Sequence, residues 1–414
     1  MKSAARRALL NILYRCCRRN SQPATSGPLE ATGVVVIRFD EIGDLILTLP
    51  FLRELRRCMP NARIALVIRP ALVNLVELCP HIDNVIPFAP KFGFRPERLK
   101  ALFGLRRQVA AALGAEPELG ILPRFDADFS RGLIALLATG AQRRIGFSES
   151  ATPEKAHADA STDRFLTHPI KPECTDMHEL KRNLSLLEAL GAQITDDHLE
   201  LWLSPEDRRK AREVMGGCPQ VKQWIAVCVG ASTARKRWPL DRYAALIKSL
   251  AERHREYGFV FIGGTDEFGV AKALADAWPR QCVNAAGRLT LRETSALLEL
   301  CRLYVGNDTG PMHLAAAVGT PVVAVYSDCL SASSADEAPL PRFAPWGVKQ
   351  KLLLPWASPP CREYCTRTEA HCILNTTTSS VADAVGQLLT DPALAAANRP
   401  QAFCNLQSPA RGNP

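Results

Sequence analysis

Residues 302–326 read Arg-Leu-Tyr-Val-Gly-Asn307-Asp308-Thr309-Gly310-Pro311-Met-His313-Leu-Ala-Ala-Ala-Val-Gly319-Thr-Pro321-Val-Val-Ala-Val-Tyr326, and few folds accommodate that order. An apolar run leads into Asn307 and Asp308, which suit a tight turn. Pro311 sits just inside a short helix, where its missing N–H costs nothing. Gly319 ends that helix, Pro321 prevents its continuation, and a second apolar run follows. Strand, turn, helix and strand make the repeating unit of a parallel α/β sheet. The Asp308-Thr309-Gly310 turn thus presents backbone N–H groups at a helix N-terminus, at the carboxyl end of a buried strand. Ligands of α/β sheets bind there, and the expected guest is an anion, phosphate first of all.

The same alternation runs through the chain twice. Val34–Ile37, Ile64–Ile68, Asn84–Pro87 and 118–123 read as strands, separated by helical patterns over 44–58, 71–78 and 97–113. Pro50 should kink or restart the first of these helices. Ser148–Thr162 is polar and loop-like, and His178–Leu190 is helical. The composition then turns polar around 193–219, with a capping signal at Ser204-Pro205-Glu206-Asp207. Strands at Trp224–Val229, Phe259–Ile262 and Val283–Ala285 alternate with helices over 240–254, 266–278 and 291–301 in the second half. Residues 328–375 read as a long loop and Val381–Leu389 as a last helix. At 414 residues the chain exceeds one ordinary core. The division is a leader over 1–30, α/β domains over 31–205 and 206–390, and a disordered tail over 391–414. Two similar halves imply a cleft between them.

Composition fits that picture and narrows the functions. Hydrophobic residues make up 47% and aromatic residues 7%, as in an α/β protein rich in Val, Leu and Ala. No apolar run reaches the roughly 20 residues a bilayer span needs. The net charge of +9 is concentrated early: Lys2, Arg6, Arg7, Arg15, Arg18 and Arg19 precede the first acidic residue, Glu30. Asn11 interrupts the leader's apolar stretch and Arg15-Cys-Cys-Arg-Arg ends it, unlike a signal peptide. It reads instead as a basic amphipathic helix on an anionic membrane surface, or as a disordered leader. No nucleic-acid reader motif accompanies the charge, so no nucleic-acid partner is expected.

Most of the fourteen cysteines stand singly in apolar context, as free core thiols in a reducing compartment do. Cys361, Cys365 and Cys372, with His371, form a cluster with the chemistry of a zinc site. Its spacing lacks a Cys-x2-Cys knuckle, and neighbours such as His371 and Cys372 seldom both point inward. The reading leans to free thiols, with metal binding left open.

Three loops at strand ends carry candidate chemistry. In Arg38-Phe-Asp40-Glu41-Ile-Gly43-Asp44, Gly43 permits a tight turn and Asp44 opens the next helix. Asp44 is a helix cap, worth about 0.5–2 kcal/mol, or a general base facing the cleft; both readings stand. Gly230-Ala-Ser232-Thr233-Ala-Arg235-Lys236-Arg237-Trp238-Pro239 sets hydroxyls and a basic triplet at a strand end, as a phosphate-facing loop would. Gly263-Gly264-Thr-Asp266-Glu267 permits close approach of a ligand, with an acidic residue for ribose hydroxyls or for capping. The absence of a Walker A loop, and of G-x-G-x-x-G after the first strand, disfavours a P-loop NTPase or classical dehydrogenase.

Six motifs in order resemble glycosyltransferase family 9, the ADP-heptose:lipopolysaccharide heptosyltransferases. They are Arg38-x-Asp40-x-Ile42-Gly43-Asp44, Leu122-Pro-Arg124-x-Asp126, Arg144-Ile-Gly-Phe147, Lys236-Arg-Trp-Pro239, Gly263-Gly264 and Asp308-Thr-Gly-Pro-Met-His313. The resemblance implies an α/β GT-B fold of two Rossmann-like, doubly wound parallel-sheet domains facing a central cleft. It implies an inverting transfer in which Asp44 deprotonates the acceptor, while Lys236 and the Thr309 and Gly310 amides steady the leaving diphosphate without metal. Ser232 and Thr233 would touch the nucleotide's phosphate, Glu267 the ribose and Leu289 the adenine face, with Gly264 among the nucleotide's contacts. Asp308 and His313 would orient donor sugar and phosphates. Arg124, Asp126, Arg143 and Arg144 would meet an anionic, lipid-linked saccharide, with Arg53, Arg56, Arg57 and Arg69 as further contacts. The nucleotide sugar is a co-substrate, so no cofactor is implied, and the expected place of work is the cytoplasmic face of the inner membrane. Another nucleotide sugar feeding a different glycan, or a non-catalytic sugar-nucleotide binder, are the competing readings. Retention of Asp44, Lys236 and Asp308 together speaks against the binder, since binding alone needs no base.

Overall fold

Two sheets of six parallel strands organise the protein. The computed structural model describes residues 3–18, 29–89, 92–174, 176–329, 341–362 and 365–393. The first sheet holds β1 (Gly33–Arg38), β2 (Arg63–Ile68), β3 (Asn84–Pro87), β4 (Leu119–Leu122), β5 (Arg143–Phe147) and β6 (His168–Ile170). The second holds β7 (Gln223–Cys228), β8 (Tyr257–Ile262), β9 (Cys282–Asn284), β10 (Leu303–Asn307), β11 (Val322–Val325) and β12 (Gln350–Leu353). Their orders are β3-β2-β1-β4-β5-β6 and β12-β11-β10-β7-β8-β9. Renumbered within its half, each sheet runs 3-2-1-4-5-6, the doubly wound order that reverses between its first and fourth strands. Each half therefore has one natural crevice, outside the ends of β1 and β4 or of β7 and β10.

Central strands are apolar throughout because helices cover both faces. Val34 to Ile37 and Ile64 to Ile68 are buried, as are Phe259, Phe261, Val305 and Val323. Pro50 does restart the helix: one piece spans Ile42–Ile46, another Leu49–Cys58. The helix Glu179–Glu188 packs on Leu49–Cys58 in the first half, and Pro205–Met215 packs on Leu291–Glu299 in the second. Its Ser204 and Asp207 form the reciprocal cap that the sequence signals. The last helix, Thr378–Leu389, covers the second sheet.

Several local expectations need correction. The 328–375 stretch contains β12, whose half-buried Gln-Lys-Leu-Leu sequence at a sheet edge carries no alternating pattern. β5 and β6 were not signalled, because Arg143, Arg144 and Pro169 dilute their apolar character. Ser148–Thr162 is not all loop; Pro153–Ala158 is helical and capped by Thr152.

The leader forms a helix over Ser3–Arg18, but its apolar face is occupied by protein. Leu9, Leu10 and Leu13 are buried in the first domain's core with Leu133 and Leu137. Arg6 pins the helix down, pairing with Asp159 at 2.9 Å and Asp128 at 3.6 Å. The domain thus claims most of the apolar stripe expected to lie on a membrane, and Ile12 of that stripe stays exposed. Residues 19–28 lie outside the described residues, as does all but 391–393 of the stretch 391–414 expected to be a disordered tail.

Candidate active site

The crevices of the two halves meet. The short helix Ile42–Ile46 packs directly on the helix Gly310–Ala317. A Cβ on Gly43 would lie 2.5 Å from His313 Cδ2, and one on Gly310 would lie 2.8 Å from Ile42 Cβ. These two glycines allow the contact because neither has a side chain. Asp44 thus stands one residue from the seam, on the first half's side of the 308–313 turn.

The first half contributes a lattice of carboxylates and guanidinium groups. Arg38, at the end of β1, is buried; it donates to the Pro123 carbonyl and lies 3.1 Å from Asp40, 3.4 Å from Asp44 and 3.4 Å from Glu179. Arg124, just after β4, reaches Asp40 at 2.9 Å and Asp44 at 3.8 Å. The lattice bridges the first and fourth strands, where the sheet order reverses. Asp44 is the third residue of its helix and also accepts from the Glu41 amide at 3.2 Å. Both sequence readings of Asp44 therefore have a footing: it caps and it faces the gap. Burial raises its pKa; Arg38 and Arg124 oppose the rise, while Asp40 and Glu179 add to it. A carboxylate so placed is a stronger proton acceptor than an ordinary aspartate.

The second half is built from backbone and one lysine. Asn307, the buried last residue of β10, donates to the Val229 and Gly230 carbonyls at 3.1 and 3.0 Å and accepts from the Trp238 amide at 3.1 Å. The sequence suggested only a turn residue; in fact one amide side chain fastens the whole 230–238 loop to the 307–310 turn. Lys236 is thereby brought to Asp308, with Nζ 2.5 Å from Oδ2. Thr309 is the helix's extended N-cap residue and Gly310 its first residue; Pro311 has no N–H and Met312 donates to the Thr309 carbonyl at 3.0 Å, so the Thr309 and Gly310 amides are the ones left at the positive end of the helix. Ser232 and Thr233 are exposed on the same loop. Glu267 lies beneath Gly230, where a Cβ would come within 2.6 Å of its carboxylate, and it accepts from the Gly264 amide at 2.9 Å. Leu289 is half-buried before the helix Leu291–Glu299.

His313 is buried on the second half's side of the seam, its Nδ1 without a hydrogen-bond partner. Burial pushes its pKa down to about 4, against a smaller upward pull from Asp308. It is therefore a neutral ring at pH 7.

Other expected contacts fall away from this crevice. Arg143 and Arg144 open β5 and stand at the amino-terminal edge of the sheet, the opposite end from the ligand side. Both are buried: Arg144 donates to the Phe165 and Ala141 carbonyls at 2.8 and 2.7 Å, and Arg143 to that of Glu30. Their expected role in acceptor binding is corrected to a structural one. On the helix Leu49–Cys58, Arg53 pairs with Glu200, Arg56 with Asp83 and Arg57 with Glu54. Arg69, which follows β2, stays near the crevice, 2.7 Å from Glu41. Asp126 is also at hand, held at 2.7 Å by Arg342.

Arg342 and Glu179 are the residues that sequence reasoning missed. Arg342 belongs to the second half but binds Asp126 and Glu179 of the first, and Glu179 is fully buried between Arg38 and Arg342. An acidic residue in a helix's first turn is so common that Glu179 sent no signal; only the packed structure shows which arginines meet it.

The family model for glycosyltransferase family 9 (heptosyltransferase) matches residues 134–369. The lipopolysaccharide heptosyltransferase 2 of Escherichia coli K12 is 35% identical over 312 residues, 71% of this chain and 82% of that protein. A family 9 glycosyl transferase from Veillonella parvula superposes with a TM-score of 0.71 at 22% identity, covering 89% of this chain and 99% of that one. The ADP-heptose lipopolysaccharide heptosyltransferase II of E. coli superposes with a TM-score of 0.63 at 20% identity, covering 86% and 98%.

Proposed function

The chain belongs to glycosyltransferase family 9, and from that premise we propose that it transfers heptose from ADP-heptose, with inversion, to a sugar of a lipopolysaccharide core. The observation that carries the reading is the seam: a carboxylate of raised pKa on one half beside a helix N-terminus and a lysine on the other. The donor's diphosphate rests at the Thr309–Gly310 amides, with Lys236 turning from Asp308 to the phosphates. The acceptor hydroxyl enters from the first half and gives its proton to Asp44 as its oxygen attacks the anomeric carbon. ADP leaves on the far side, so the configuration inverts. Charge growing on the diphosphate is met by Lys236 and the helix terminus, which supply the positive potential a divalent cation gives elsewhere.

Donor and acceptor are taken from the names of the relatives, which are lipopolysaccharide heptosyltransferases and include one named for ADP-heptose. Ser232 and Thr233 contact phosphate, Glu267 the ribose through its edge beside Gly230, and Leu289 the adenine. Arg124, Arg69 and Asp126 line the acceptor side. His313 acts as a neutral spacer that sets the depth of the seam beneath the donor sugar. Among the described residues no helix is long and apolar enough to cross a membrane. Association with a cytoplasmic membrane surface is supported by exposed Ile12, Phe94 and Phe103, which rim an apolar cleft beside the leader helix.

Incubating the purified chain with ADP-heptose and a heptose-deficient lipopolysaccharide tests the reading. ADP release that depends on acceptor, at a rate unchanged when Mg2+ and Mn2+ are withheld, is expected. Turnover with a different nucleotide sugar alone would overturn the donor assignment.

A further inference from the structure

A second cluster of reactive side chains lies outside the cleft, in the loop between β12 and the last helix. The ligand atoms of Cys361, Cys365, His371 and Cys372 all fall within 4.8 Å of one another. All three cysteines are free and buried, and Cys329 packs against them. His371 Nδ1 is 3.6 Å from Cys361 Sγ and 3.3 Å from Cys372 Sγ. A tetrahedral ion bound at about 2.3 Å to sulfur and about 2.0 Å to nitrogen holds neighbouring S and N about 3.6 Å apart. The side chains are therefore spaced as ligands of one ion.

Adjacency of His371 and Cys372 argued against this in the sequence, because alternate residues of an extended chain face opposite sides. The backbone removes that objection. His371 adopts φ −139° and ψ −85°, at the entrance to the helical turn Cys372–Asn375, so alternation is broken and both side chains turn the same way. Backbone amides complete the surroundings: Thr366 N–H points at Cys361 Sγ (3.4 Å) and Ser358 N–H at Cys372 Sγ (3.5 Å). Amide donors to sulfur favour the thiolate and orient it, as the outer shell of a metal site does.

We propose that Cys361, Cys365, His371 and Cys372 bind one tetrahedral zinc ion with a structural task. Four protein ligands close the coordination sphere and leave no open position for chemistry. The loop so fastened is the wall behind the 230–239 segment. Arg235 donates to the Cys365 carbonyl at 2.9 Å, Trp238 to that of Thr376 at 2.9 Å, and Arg242 to those of Leu374 and Thr376. The ion holds the loop that carries Lys236, whatever sugar nucleotide the cleft takes.

The test uses the untagged full-length chain, purified without added metal and assayed for metal content by mass spectrometry. About one zinc per chain is expected, falling below a tenth in Cys361→Ser/Cys372→Ser and unchanged in Cys174→Ser, whose thiol is exposed elsewhere. Titrating the demetallated wild-type chain with Co2+ should give sulfur-to-cobalt absorption saturating at one equivalent, a readout that needs no variant to fold. Chelation should lower the wild-type melting temperature. Negligible transition metal together with no cobalt band, or a metal load unaffected by the double substitution, overturns the site. Stoichiometric iron in place of zinc overturns the choice of ion.

Discussion

The two halves share one strand order but meet the cleft with opposite chemistry. At the reversal point of the first sheet, Arg38 and Arg124 hold Asp40, Asp44 and Glu179 in a lattice of side chains. At that of the second, one amide side chain, Asn307, ties main-chain carbonyls, while a helix terminus and Lys236 supply the positive potential. The topology decides only where a crevice will be. The loop residues decide whether it presents carboxylates or positive potential, so identical scaffolds can carry opposite chemistry.

The sharpest way to break that division is to remove each half's reactive group alone. Asp44→Asn should lower kcat by about 10²–10⁴-fold while leaving the Kd for ADP within twofold, read by calorimetry. Lys236→Ala should lower kcat by about 10²–10³-fold and weaken ADP binding as well. If both substitutions weakened ADP equally, the halves would not be dividing the work. The pH profile gives an independent check: burial raises the Asp44 pKa, so kcat/KM should decline on the acid side at a pH above the ordinary aspartate range. Arg124→Gln, which takes away one of the groups that oppose the rise, should move that limb upward.

A smaller effect is expected at the seam. With a folded pKa of about 4 and an unfolded value near 6.5, His313 binds a proton more weakly when folded. Its contribution is full above pH 6.5 and is lost as pH falls towards 4, by about 3 kcal/mol. Denaturant unfolding at pH 7 and pH 4 measures this loss, and His313→Gln should show that much less dependence on pH. An unchanged pH dependence would mean the ring is not buried neutral.

The smallest effect on turnover is expected at Arg144, which serves the first half's frame. Arg144→Gln leaves buried carbonyls unpaired, at about 1–3 kcal/mol each, and should lower the melting temperature without changing the KM for acceptor. A raised KM would return Arg144 to the acceptor site.

Much of this was legible from residue order, for identifiable reasons. Val34–Ile37 and Leu303–Val305 are apolar without alternation, which only doubly covered strands are, and Gly319 and Pro321 punctuate unambiguously. Asp44 and Lys236 stood out in the residue order because each follows a strand, where a parallel sheet opens to ligands. Arg144 misled because its own charge hides the strand it opens, so nothing in the residue order placed it at the end of β5 away from the ligand side. The leader misled because an amphipathic stripe does not state what covers it, and Leu9, Leu10 and Leu13 pack on protein. Asn307, Glu179 and Arg342 stayed hidden because their partners lie far off in the chain, 163 residues in the case of the last two.

Gly43 and Gly310 make their contacts through atoms they lack. Because backbone there meets an imidazole and an isoleucine with nothing interposed, the depth of the bite is fixed by two hydrogens that no incoming molecule can push aside. A methyl group at either position would act as a wedge, prising the helix that carries Asp44 from the 308–313 turn while every side chain of the two loops stayed intact.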